Sequence, residues 1–159
     1  MRTTQRLLAV GLIGVLTGVV ALAQTTNQHV GMWKANVATS KVNVGPALKS
    51  GTTKIEPAGA GVKYTVDIAL MDGTAWHWEF TANYDGKDYS VKGKSPYGDV
   101  VALTQVDART VRITNKKGAK VLSTQVSVLS NDGKTRTVTT KGPNALGQTI
   151  EANTSYERQ

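Results

Sequence analysis

The sequence predicts an all-β protein, a single antiparallel up-and-down β-barrel of about ten strands. Three observations predict it. Apolar residues recur at every second position in segment after segment, and beyond the N-terminal region none keeps helical spacing for three turns. Turn-forming residues separate these segments at short intervals, which forces neighbours to pair antiparallel. An open sheet of that many strands would leave long unpaired edges, so closure is favoured.

The first residues stand apart. Arg2 and Arg6 precede an uncharged apolar run from Leu7 to Leu22, and Ala21-Leu22-Ala23 places small residues where a signal peptidase reads them. Residues 1–23 are expected to be a secretory signal peptide, and 24–159 the barrel domain. A run of this length is short against the ~20 residues of a spanning helix. The expected location is periplasmic or secreted.

Strands are expected at 30–36, 52–56, 62–70, 75–83, 87–92, 100–106, 110–115, 121–129, 135–140 and 149–157. In the third, Val62, Tyr64, Val66, Ile68 and Leu70 share one face. Asp72-Gly73 then supplies a hairpin turn that accepts positive φ. In the fourth, Trp76, Trp78 and Phe80 share a face, with His77, Glu79 and Thr81 on the other. Asp85-Gly86, Asp107-Ala108-Arg109, Lys117-Gly118 and Asn131-Asp132-Gly133 mark further turns. Residues 37–50 and 93–98 read as connections.

Composition excludes several chemistries. The chain has 159 residues and no cysteine, so thiol nucleophiles, iron–sulfur clusters and cysteine zinc sites are ruled out. Removing Arg2 and Arg6 with the leader lowers the net charge from +8 to +6. The remaining cations are scattered and lack aromatic interleaving, so no nucleic-acid partner is expected, only weak surface contacts with anions. No serine-nucleophile, phosphate-loop or calcium-loop motif is present. His77 beside Glu79 reads as a surface pair, and the only other histidine is His29. Neither an enzyme, a metal site nor a cofactor is expected.

Gly31-Met32-Trp33 resembles the Gly-x-Trp signature of the calycin superfamily, the lipocalins and fatty-acid-binding proteins. In that superfamily a basic residue of the last strand packs over the tryptophan, and Arg158 is the matching residue. The ending Ser155-Tyr156-Glu157-Arg158 is similar to the close of the fatty-acid-binding proteins. The resemblance implies structural roles for Gly31, Trp33 and Arg158 and a barrel that carries a ligand. Two departures stand out. Residues 37–50 are too short for the helical lid of that family, so none is expected. Thr154 occupies the position of its carboxylate-binding arginine, with Tyr156 retained.

The candidate ligand-binding residues are Tyr64, Val66, Trp76, Trp78, Arg136, Val138 and Tyr156. The aromatic trio reads as filled core, as a cavity wall or, if turned outward, as a docking patch. Arg136 shares a face with Val138; it is either an interior anchor for an anionic head group or, the favoured reading, a solvated residue at the strand's mouth. Tyr156 is a ligand contact or a plug. The expected function is non-enzymatic binding of a small apolar or amphipathic molecule by a monomer. The alternative is a filled barrel acting as an extracytoplasmic interaction module through its basic loops.

Overall fold

Alternating side chains put apolar groups on one side of each strand, and burying that side requires the sheet to curl. The computed structural model describes residues 27–159, so the expected signal peptide lies outside the described residues. Twelve strands are present: β1 (Gly31–Ala35), β2 (Lys41–Val42), β3 (Leu48–Ala58), β4 (Gly61–Leu70), β5 (Ala75–Ala82), β6 (Asp85–Ser90), β7 (Lys92–Lys94), β8 (Val100–Gln105), β9 (Thr110–Lys117), β10 (Lys120–Leu129), β11 (Thr135–Pro143) and β12 (Thr149–Arg158). No described residue is helical.

All the pairings are antiparallel, and the sheet runs β6-β8-β9-β10-β11-β12-β1-β3-β4-β5-β7, with β2 joining β12. The first and last strands therefore meet, with Trp33 opposite Arg158 and Ala35 opposite Tyr156. The two ends of the sheet, β6 and β7, are consecutive in the chain. Residues 85–90 pair with β8 and residues 92–94 pair with β5, so this segment changes partner at Val91. The result is an up-and-down barrel with one unsealed seam, between β5 and β6.

Gly93 permits the switch. Its φ is +90°, and a Cβ there would sit 2.5 Å from the His77 carbonyl oxygen. Only glycine lets the two backbones approach this closely.

The differences from the expected strands have local causes. Residues 37–50 hold β2, because β12 is long enough to pair with both β1 and β2, and the first residues of β3, which pair with the end of β4. Asp85 and Gly86 belong to β6 at an irregularity in its register with β8, where a plain turn was expected. Asp85 still accepts the Lys87 backbone N–H there, and aspartate builds other turns in the same way. Asp72, Asp107 and Asp132 each accept the backbone N–H two residues on, the Asx geometry that bends a chain locally.

One end of the barrel is closed by packing. Trp33 is fully buried, and Arg158 stacks on it with Cζ 4.2 Å from the ring centroid. The same guanidinium donates to the carbonyls of Gly133, Val30 and Gln28. The Trp33 indole N–H donates to the His29 carbonyl, which ties the segment before β1 across this end. Gly31, at φ +145°, leaves the room Arg158 needs: a Cβ there would lie 2.5 Å from Nη1.

Candidate functional site

The interior between this closed end and the opposite rim is not filled. A cavity of about 460 Å³ occupies it, within the ~300–1,000 Å³ typical of small-molecule sites. Tyr64, Val66, Trp76, Trp78, Arg136, Val138 and Tyr156 all line it, as the strand alternation places them inward. Trp76, Trp78 and Phe80 therefore form a wall, and the reading of these rings as an outward docking patch is corrected. Gly31, Trp33 and Arg158 sit below the cavity and do not line it.

Arg136 is corrected most sharply. It is not a solvated residue at the mouth but is 3% exposed, near the closed end. The cause is register. Arg136 lies opposite Leu129 on β10 and Tyr156 on β12, the inward row nearest the Trp33–Arg158 cap. Its Cζ is 4.6 Å from the Tyr156 ring centroid and 5.3 Å from that of Trp33. Nε is buried without a hydrogen-bond partner. Burial pushes its pKa down, and the groups nearby that counter this are the hydroxyls of Tyr64, Tyr156 and Tyr84, not carboxylates.

The surroundings follow the same logic. Burial pushes the Tyr64 and Tyr156 hydroxyls up, so both stay neutral. His29, which reads from the sequence as part of a mobile stretch before the first strand, is instead fully buried. Desolvation, and then the charge of Arg136, hold its pKa down to about 4. It is therefore neutral at pH 7 and adds no second cation. Arg136 is thus the cationic side chain that lines the cavity.

Sequence reasoning did not name the polar lining as candidates. Asn115 of β9, Gln125 and Ser127 of β10 and Thr140 of β11 face the cavity, as do Tyr97, Phe80 of the aromatic trio and Thr154 of β12. Ser127 Oγ is fully buried with no partner. The register was hard to read from β10 because two of its apolar residues, Val126 and Val128, do not line the cavity, and Val128 is 42% exposed.

On the outer face, His77 is not paired with Glu79. Its Nδ1 lies 2.6 Å from Asp67 Oδ1, while Glu79 bonds Lys63 at 2.8 Å. Asp67 lies directly opposite His77 on β4, and the long Lys63 side chain reaches Glu79 from the diagonal position on the same strand. Among the described residues, no group of three or more His, Asp or Glu is placed to hold a metal ion.

No protein-family model matches this sequence, and no curated protein matches it.

Proposed function

We propose that this protein is a non-enzymatic binder, a calycin-like carrier or sequestering protein acting outside the cytoplasm as a monomer. It takes a small, partly apolar anion into the barrel. The head group sits on Arg136 and the apolar part lies against Val66, Trp76 and Trp78.

One observation carries this reading: a buried guanidinium beside a cavity, with π faces around it and no carboxylate in contact. Taking a cation out of water costs several kcal/mol, and cation–π contacts of roughly 0.5–2 kcal/mol each offset only part of that. A carboxylate or sulfonate accepting from the guanidinium edge supplies the missing charge and a bidentate hydrogen bond. The apolar walls supply affinity through burial. The alternative of a solid interaction module needs a filled interior, and a cavity of about 460 Å³ weighs against it.

The test is a titration with 1-anilinonaphthalene-8-sulfonate, an apolar fluorescent anion. Wild type is expected to enhance its emission with saturation at one probe per chain. Arg136→Met should weaken binding at least tenfold while leaving the protein folded. Equal affinity in the folded variant overturns the proposal.

A further inference from the structure

The cavity is divided lengthwise. On one side β4 and β5 present Val66, Ile68, Leu70, Trp76, Trp78 and Phe80, with Phe80 stacked on Tyr64 at 4.8 Å. On the other side β10, β11 and β12 present Gln125, Ser127, Arg136, Thr140 and Thr154, interleaved with Val138, Ile150 and Ala152. The strand register turns the second wall into rows. Arg136 lies in the row of Leu129 and Tyr156. One repeat toward the rim, Ser127, Val138 and Thr154 lie abreast. One repeat further on, Gln125 lies beside Thr140. A two-residue repeat advances about 6.8 Å along a strand. Beyond the phenol hydroxyls beside Arg136, hydrogen-bonding side chains therefore recur in the next two rows toward the rim, at Ser127 and Thr154 and then at Gln125 and Thr140.

A saturated chain with its carboxylate on Arg136 would lay methylenes against these groups. The buried Ser127 hydroxyl, which has no protein partner, would then lose its chance of a partner altogether, and unpaired buried polar groups discriminate strongly against such ligands. The opposite wall offers ring faces, with Tyr97 set edge-on to Trp78 at 5.9 Å between centroids. Aromatic faces set in this way favour a flat π-system between the walls.

We infer that the occupant is a planar aromatic acid carrying a hydroxyl or similar hydrogen-bonding group on the side remote from its acid group, and not a saturated-chain acid. This rests on the proposed anion site at Arg136 and names the class of ligand that fits it. The acid group meets Arg136, one ring face meets Trp76 and Trp78, and the substituted edge meets Ser127, Thr154 and Gln125.

Isothermal titration of the wild-type protein with 2-naphthoate, 6-hydroxy-2-naphthoate and dodecanoate tests it. The hydroxylated acid is expected to bind at least tenfold more tightly than either of the others. Ser127→Ala and Gln125→Leu should narrow the ratio between the hydroxylated and plain naphthoates at least threefold. Dodecanoate binding as tightly as the hydroxylated acid, or a hydroxyl that adds nothing, overturns the inference and leaves the anion site standing. An affinity for all three acids that is unchanged in Arg136→Met, or no binding of any, overturns the anion site and the inference together.

Discussion

Arg136 and Tyr156 face each other across the β11–β12 ladder, with the guanidinium carbon 4.6 Å from the centre of the phenol ring. The charge is held against a ring face and not against a carboxylate. Stability and binding are therefore set in opposition at one residue.

Replacing Arg136 with methionine removes a desolvated charge and fills the same space with apolar atoms. The ligand-free variant should be more stable than wild type by about 1–2 kcal/mol, because an unpaired buried charge costs more than the lost cation–π contacts return. Thermal unfolding should show a rise of roughly 3–10 °C in Tm. A fall in Tm would mean that the guanidinium is already satisfied in the unliganded barrel.

The cap depends on glycine at position 31. Gly31→Ala adds a Cβ that collides with Arg158 Nη1 and holds an L-residue at φ +145°. Destabilisation of about 2–3 kcal/mol is expected in urea unfolding, from steric conflict and backbone strain together. In the Arg158→Ala background the collision is gone and only the strain remains, so the same substitution should cost about 1 kcal/mol less. Additive effects in the double variant would show that the two residues do not interact.

His29 makes stability depend on pH in a defined window. Its folded pKa is about 4, below the ordinary value of 6.5. The unfolded chain therefore binds a proton first as the pH falls. Its contribution is constant above about pH 6.5 and is lost progressively between 6.5 and 4. The loss amounts to on the order of 3 kcal/mol at 1.36 kcal/mol per pKa unit. Urea midpoints for wild type and His29→Met should diverge as pH drops through this range, with wild type falling faster. Parallel curves would contradict a buried neutral imidazole.

Gly93 tests the seam. Gly93→Val places a side chain against the His77 carbonyl and the Trp78 Cα at a φ of +90°. Pairing between β5 and β7 should be lost, with amide protons of 92–94 exchanging at least tenfold faster while those of β10 and β11 stay protected. Unchanged exchange at 92–94 would show that this pairing does not depend on glycine at position 93.

Much of the barrel was legible because its strands carry clean alternation and its turns carry aspartate and glycine. That Tyr64 and Val66 share one face of β4, and Trp76 and Trp78 one face of β5, could be read directly; that both faces turn inward came from the structure. The cap was legible only through the resemblance, which paired Trp33 with Arg158 across the length of the chain. The polar wall was not. Inward Gln125 and Ser127 and outward Val126 and Val128 reverse the usual pattern, because a ligand-sized space relaxes the demand that inward residues be apolar. The same relaxation hid Arg136, since burial of a lone cation is the least expected outcome for an arginine. The pairing of His77 with Asp67 depended on the β4–β5 register, which alternation alone does not fix.

The state of the Arg136 side chain reports most directly on an anion seated in this barrel. Its Nε–H signal can be followed by ¹⁵N NMR while 2-naphthoate is added to the wild-type protein. The account predicts a progressive shift that saturates at one equivalent, as the buried Nε–H gains an acceptor. An Arg136 signal that stays fixed while the ligand binds elsewhere would contradict it.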